Sequence, residues 1–196
     1  LLIEYRGYGE STGEEDLVTM LSDGEAVLDA LKINPASAIA YGRSIGSLYA
    51  IELAHRCPTL AGLIIDSGIA YIQHPFLGSP KLSEVFGPTE IFEINAEIGA
   101  HFDHEAKMRE FPGRVLVLHT KCDRLIDVEH AYQLYRWAGT RNKIVRVYDE
   151  GDHHSIFRVN HQDILHSISD MADKAFQQCR LPRSRSMPFL PTYRML

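Results

Sequence analysis

At 196 residues, the chain is long enough for one domain with a sizeable hydrophobic core and too short for two domains of ordinary size. Its composition, 45% hydrophobic and 23% charged, is typical of a soluble globular protein. The net charge of −6, without Lys and Arg clustered on a core element, argues against a nucleic-acid partner. Three scattered cysteines, Cys57, Cys122 and Cys179, exclude a disulfide framework and a zinc site.

Targeting signals are also missing from the sequence. No run of about 18 apolar residues occurs, so we predict no transmembrane segment. The first residues have neither a basic region nor a cleavage-site pattern, so they do not resemble a signal peptide, and we expect a cytoplasmic protein. Because residue 1 already lies inside an apparent strand, we expect that the beginning of the domain is missing.

Hydrophobic periodicity predicts that short strands alternate with helices along the chain. In chain order, the predictions are strand 1–5, helix 14–32, strand 37–41, helix 45–56, strand 60–65, strand 115–119, helix 128–138, strand 143–148 and helix 156–178. Such an alternation indicates a mostly parallel sheet with helices on both faces. Ligands bind beyond the carboxyl ends of the strands in such sheets, so functional residues are expected directly after strands.

We assign residues 1–180 to this single α/β domain. Residues 69–112 show the least periodicity and are interpreted as a minimal lid region. Residues 181–196 contain several prolines and no periodic pattern, so we predict a disordered tail.

The most specific motif is Gly42-Arg43-Ser44-Ile45-Gly46, which matches G-x-S-x-G between a predicted strand and a predicted helix. A sharp strand-to-helix turn lifts the serine hydroxyl clear of the sheet, so Ser44 is the candidate nucleophile. The flanking glycines are predicted to be required because a Cβ there collides with neighbouring backbone. The Ile45 N–H, at the start of the helix, is the candidate oxyanion donor.

A nucleophilic serine needs a base, and the base needs an acid that orients it. Asp123 follows the strand 115–119 and His153 follows the strand 143–148, in the Ser, Asp, His order of this fold type. Asp66, at the end of another strand, is an alternative acid, and the adjacent His154 is an alternative base. We favour Asp123 for its place after the strand, and His153 for its spacing and the small residue Gly151 before it.

Four segments resemble the α/β-hydrolase superfamily over nearly the whole chain. Residues 4–14 (EYRGYGESTGE) resemble the segment after its fourth strand, and residues 42–47 (GRSIGS) are similar to the nucleophile elbow of the serine aminopeptidase-like and depalmitoylase-like branch. Residues 119–127 (HTKCDRLID) resemble its acid loop, although Thr120 and Asp127 replace the usual Gly and Pro. Residues 150–155 (EGDHHS) resemble the histidine loop of that branch, which favours His153.

The resemblance implies an α/β-hydrolase fold that lacks its first strands. The family ordinarily has three strands before the segment at 4–14, and a His-Gly loop after the third supplies a second oxyanion donor. Nothing similar precedes Leu1, so we expect a fragment or a truncated gene model, with an unpaired sheet edge.

The implied function is a serine hydrolase of esters, thioesters or amides, with a small-molecule acyl or peptide substrate and no metal or organic cofactor. Four phenylalanines of the lid region are candidates for an acyl pocket: Phe76, Phe86, Phe92 and Phe102. The alternative is a catalytically weak or inactive binding module with the same fold. A further, weaker hypothesis is that the arginines of the tail bind a membrane surface. Prolines lie between these arginines, which favours an unstructured end instead.

Overall fold

A four-stranded, all-parallel sheet forms the centre of the computed structural model, which describes residues 1–72 and 87–177. The strands lie side by side in chain order: β1 (Ile39–Arg43), β2 (Gly62–Asp66), β3 (Arg114–Thr120) and β4 (Lys143–Tyr148). Arg43 pairs in register with Asp66, and Asp66 with Leu118, so β1 and β2 end level and β3 continues two residues further, to Thr120. The predicted parallel sheet is therefore confirmed.

Helices surround this sheet. In chain order they are α1 (Asp23–Ala30), α2 (Gly46–Arg56), α3 (Pro88–His101), α4 (His104–Glu110), α5 (Glu129–Trp137), α6 (Ile156–Val159) and α7 (His161–Gln177). Buried residues of α2, α4 and α5 form one core cluster with one face of the sheet, and residues of α6 and α7 form another with further strand residues. Both faces are thus covered, as the sequence predicts.

The alternation of side chains along β2 and β3 explains why both faces attract helices. Leu63, Ile65 and Val117 belong to the cluster under α2, α4 and α5, whereas Ile64 and Leu118 belong to the cluster under α7. All five side chains are at most 2% exposed. A strand that is apolar on both faces is stable only between two layers of helices.

Residues 1–5 are not a strand, in contrast to the prediction. A strand forms by pairing, and within the described residues β1 has a ladder only with β2. Leu1 and Leu2 are 87% and 99% exposed, while Tyr5 packs its ring against Tyr49 at 4.6 Å between centroids. The apolar run alone was not sufficient evidence for a strand.

The predicted helix at 14–32 is also shorter than expected. The Asp16 carboxylate accepts hydrogen bonds from the amides of Val18 and Thr19 at 3.1 and 2.7 Å, which competes with helix formation. A 3-10 turn at Thr19–Ser22 precedes α1, and Lys32 beyond its end has a φ of 53°.

The region at 69–112 contains two helices that the periodicity did not predict. Pro88 occupies the first turn of α3, and the Asp103 carboxylate caps α4 by accepting from the Ala106 amide at 2.9 Å. Of the proposed pocket residues, Phe102 is buried in a cluster, whereas Phe92 is 74% exposed.

The described residues do not include 73–86 and 178–196, where the sequence places Phe76, Phe86, Cys179 and the predicted tail 181–196. Across the described part of the chain, none of the helices has the length and apolar character needed to cross a membrane.

Candidate active site

Ser44 lies on the sharp turn between β1 and α2. Its backbone φ is 51°, in the left-handed region that a residue with a side chain rarely adopts. Two hydrogen bonds hold this conformation: the Ser44 N–H donates to the Asp66 carbonyl at 2.9 Å, and the Ser47 N–H donates to the Ser44 carbonyl at 3.0 Å. The turn therefore depends on both the neighbouring strand and the first turn of α2.

The two glycines that flank this turn differ in their surroundings. A Cβ on Gly42 would lie 2.5 Å from the Gly46 carbonyl oxygen and 2.6 Å from the Ala50 Cβ, so no larger residue fits there. A Cβ on Gly46 would meet no atom within 4 Å. Packing therefore requires a glycine at position 42, as predicted. The same prediction was wrong for Gly46, where a Cβ would meet no neighbouring atom.

Asp123 lies in the loop that follows β3. Its Oδ1 accepts hydrogen bonds from the amides of Leu125 and Ile126, both at 2.9 Å, which fixes the carboxylate against its own loop. The second oxygen, Oδ2, is left to face His153. The Asp123 side chain has no solvent exposure, so its charge is satisfied entirely by these partners.

His153 lies in a tight loop between β4 and α6. The Asp152 carboxylate accepts from the amides of His154 and Ser155 at 3.0 and 2.9 Å, which closes the loop after the histidine. Gly151 has a φ of 85°, a conformation that favours glycine, and a Cβ there would lie 3.0 Å from the Ile156 Cα. Local backbone geometry thus determines where the His153 ring can lie.

The structure brings Ser44, Asp123 and His153 together. The His153 Nδ1 lies 2.7 Å from the Asp123 Oδ2, and the His153 Nε2 lies 3.0 Å from the Ser44 Oγ. A carboxylate only accepts hydrogen bonds, so a neutral His153 carries its proton on Nδ1 and presents the lone pair of Nε2 to the Ser44 hydroxyl. This tautomer is the one that can remove a proton from the serine.

The two alternative residues lie elsewhere. Asp66 is completely buried, and its carboxylate accepts from the Tyr41 hydroxyl at 2.6 Å and the Ser67 hydroxyl at 3.1 Å. His154 is exposed, with its ring 5.4 Å from that of His153, and it makes no hydrogen bond to Ser44 or Asp123 among the described residues. The geometry therefore favours Asp123 and His153 over these alternatives.

The Ile45 amide, the candidate oxyanion donor, lies beside Ser44 at the start of α2. Ile45 directly precedes α2, and within residues 1–72 and 87–177 its N–H donates to no other group. A free N–H next to the serine, at the N-terminal end of a helix, is suited to a developing negative charge.

Two residues that the sequence did not single out hold the histidine loop. The Thr120 hydroxyl donates to the Gly151 carbonyl at 2.8 Å, which ties the end of β3 to that loop. The Arg43 guanidinium, from the turn itself, donates to the His153 carbonyl. The replacement of the family's Gly by Thr120 was the available signal, but sequence spacing does not show which loop a side chain reaches.

His119 lies behind the acid loop and is fully buried. Its Nε2 lies 2.9 Å from the Ile126 carbonyl and 3.5 Å from the Asp123 Oδ2. Burial lowers the pKa of His119, so the neutral ring is favoured. A neutral ring donating to Ile126 supports the loop without adding a positive charge beside Asp123.

A cavity of about 550 Å³ opens beside His153. Its walls come from the acid loop and the histidine loop, and its lining includes Cys122, Arg124, Leu125, Gly151 and His154. Its size is in the range of small-molecule sites. Among the described residues, no group of three or more His, Cys, Asp or Glu side chains is arranged to hold a metal ion.

Comparison with known proteins agrees with this architecture. No protein-family model matches the chain. The uncharacterized protein YfhR of Escherichia coli K12 is 22% identical over 169 residues, which is 83% of this chain and 56% of the relative. Alpha/beta hydrolase domain-containing protein 17C of Xenopus tropicalis is 29% identical over 123 residues, which is 55% of this chain and 40% of the relative. The chain therefore spans about half the length of the curated relatives it matches.

Among solved structures, the esterase Pf2001 of Pyrococcus furiosus superposes with a TM-score of 0.68 over 87% of this chain and 68% of that one. The sequence identity is 17%, so this likeness concerns the fold. The parallel sheet covered on both faces, the superposition and the relative named for the domain agree with one another. By this shared architecture, the chain has an α/β-hydrolase fold.

Proposed function

We propose that the chain is the catalytic part of a serine hydrolase that acts on esters, thioesters or amides through an acyl-enzyme. The observation that carries this proposal is the position of His153, which is within hydrogen-bond distance of both Ser44 and Asp123. These residues come from three separate loops at one edge of the sheet. A buried carboxylate, an imidazole and a serine hydroxyl in series form the arrangement that activates a serine.

In the proposed reaction, the Ser44 Oγ attacks the substrate carbonyl while the His153 Nε2 takes the hydroxyl proton. Asp123 stabilises the imidazolium that forms and keeps the ring in its orientation. The Ile45 N–H donates to the oxyanion of the tetrahedral intermediate. His153 then gives its proton to the leaving group, and water repeats the sequence to release the acid and restore Ser44.

The substrate class is proposed from chemistry and from the names of similar structures. The Pyrococcus furiosus esterase shares the fold at 17% identity to this chain, and a monoacylglycerol lipase of Paleococcus ferrophilus shares it at 14% identity. The cavity beside His153 is bounded partly by Leu125, which is 59% exposed. An exposed apolar side chain at the edge of the cavity suits an acyl chain, so acyl esters are the first substrates to test.

Covalent labelling by a fluorophosphonate probe tests the proposal. We expect the probe to label the wild-type chain and to leave Ser44→Ala unlabelled, because only an activated serine reacts with the phosphorus centre. Hydrolysis of a p-nitrophenyl acyl ester is expected to fall by about 10³-fold or more in Ser44→Ala, since the nucleophile is lost.

Ser47→Ala is a poor control because its hydroxyl donates to the Ser44 carbonyl, so we choose Ser169→Ala on α7 instead. Equal labelling of wild type and Ser169→Ala supports the proposal. If a chain with native circular dichroism and a cooperative unfolding transition is not labelled, the proposal is wrong and a non-catalytic binding module explains the fold better.

A further inference from the structure

Arg43, the residue before the serine, contacts two parts of the site at once. Its Nη2 donates to the backbone carbonyl of His153, which is 110 positions away in the chain. Its Nε lies 3.6 Å from the Oδ2 of Asp66, at the end of the neighbouring strand β2. The guanidinium therefore bridges the central strands and the loop that carries the histidine.

Asp66 provides a fixed anchor for this bridge. The carboxylate has no solvent exposure, and a buried charge persists only where partners compensate for its lost hydration. The Tyr41 hydroxyl donates to Oδ2 at 2.6 Å, and the Ser67 hydroxyl donates to Oδ1 at 3.1 Å. With two neutral donors already in place, Arg43 is the cation that balances the charge of Asp66.

The histidine loop has a second attachment on its other side. Thr120 donates to the Gly151 carbonyl at 2.8 Å, two residues before His153. That bond fixes the entrance of the loop. On the far side of His153, the His154 amide donates to the Asp152 carboxylate at 3.0 Å, so that contact holds the N–H of the peptide after His153 and not its carbonyl. The bond from Arg43 acts directly on the carbonyl of His153 and so restrains the residue that carries the ring.

We propose that Arg43 is a positioning residue, which uses buried Asp66 as an anchor to hold the His153 backbone so that its imidazole stays in line with Ser44. This inference rests on the proposed function and assigns Asp66 a different role from that of an alternative acid. The 3.0 Å contact between His153 and Ser44 leaves little room for movement of the loop. A misplacement of about 1 Å in a catalytic group can cost about 100-fold in rate.

The chemistry of the side chain is specific to arginine. Two different nitrogens of one planar group contact two acceptors in different directions. A lysine ammonium is a single point of charge and cannot reproduce both contacts with the same geometry. Arg43→Lys is therefore expected to keep the balance with Asp66 and to recover only part of the positioning.

The test measures kcat and KM for a p-nitrophenyl acyl ester with four variants. We expect Arg43→Met to lower kcat by about 10- to 100-fold with KM changed less than about threefold, and Arg43→Lys to recover part of that loss. The exposed Arg158 on α6 lies a few residues beyond the loop, and Arg158→Met is the matched control with unchanged kinetics.

The double variant Arg43→Met with Asp66→Asn separates positioning from charge balance. If Arg43 only neutralises Asp66, removing both charges restores kcat, and the proposal is overturned. If Arg43 positions His153, the double variant stays as slow as Arg43→Met. A kcat of Arg43→Met within twofold of wild type, or an effect confined to KM, also contradicts the inference.

Hydrogen exchange separates this inference from the proposed function. Without Ser44-dependent turnover in the wild type, the proposed function fails, and Arg43 is then judged by amide exchange over residues 151–156. Faster exchange in Arg43→Met but not in Arg158→Met supports the tie between Arg43 and the loop. Equal exchange in wild type and Arg43→Met overturns it.

Discussion

His153 and His154 are adjacent in the chain but lie in different environments. His153 is 5% exposed, and both of its ring nitrogens have partners at the site. His154 faces solvent, and its amide rather than its ring takes part in the loop, as a donor to Asp152. One peptide unit separates a ring that can exchange a proton with Ser44 from one that cannot reach it.

Substitution of each histidine tests this difference. We expect His153→Ala to lower kcat/KM for an acyl ester by about 10³-fold or more, because the serine loses its base. His154→Ala is expected to stay within about threefold of wild type and serves as the control. Steady-state kinetics on the two purified variants measure both effects, and a larger loss in His154→Ala would reverse the assignment of the base.

The turn between β1 and α2 is closely packed at Gly42 but not at Gly46. Gly42 lies against the Gly46 carbonyl and Ala50, so the strand and the helix approach within a distance that excludes a methyl group. Gly46 begins α2, with its Cβ direction open. The motif therefore contains one glycine that packing requires and one that it does not.

Alanine substitutions at these two positions should differ in their effect on stability. We expect Gly42→Ala to lower the free energy of unfolding by about 2–3 kcal/mol and to reduce labelling of Ser44, since the turn must shift to admit the methyl group. Gly46→Ala should change stability by less than about 1 kcal/mol, because alanine favours helix and meets no neighbour.

Urea denaturation followed by circular dichroism gives the free energies, and the fluorophosphonate probe reports the state of Ser44. Equal destabilisation by the two substitutions would show that the turn tolerates neither methyl group. That result would restore the requirement for both glycines that the sequence motif suggests.

The accuracy of the sequence-based prediction varied with the kind of element. The strands β2 and β3 were predictable because each is a short apolar run that the sheet buries, such as residues 115–119. Residues 1–5 have the same apolar character, but pairing decides whether a run becomes a strand. Helix α3 was not predicted although Ile91, Ile94 and Ile98 recur at helical spacing, and none of its described side chains is fully buried.

The candidate site shows the same limit. The order Ser, Asp, His and the position of each residue after a strand identified the three side chains that meet. The contributions of Arg43 and Thr120 depend on contacts across about 110 and 31 positions of the chain, which no local pattern records. Residues that support a site through long-range contacts become visible only when the loops are placed in space.

For the molecule as a whole, we expect stability against acid to depend on His104, a buried histidine outside the site. His104, on α4, is 1% exposed, and its Nδ1 lies 3.2 Å from the carbonyls of Ile69 and Ala70. These contacts join α4 to the segment that follows β2. Burial is the main cause that lowers the pKa of His104 to about 4, and the nearby positive charge of Lys107 acts in the same direction.

This lowered pKa predicts how stability changes with pH. An unfolded chain binds a proton at His104 near pH 6.5, whereas the folded chain resists protonation until about pH 4. The contribution is therefore complete above pH 6.5 and is lost as the pH falls towards 4, by at most about 3 kcal/mol. His104→Asn keeps a side-chain donor but cannot titrate, so its stability should fall less between pH 7 and pH 4.5. Urea unfolding of both chains at the two pH values measures the difference, and parallel losses would show that His104 is not responsible.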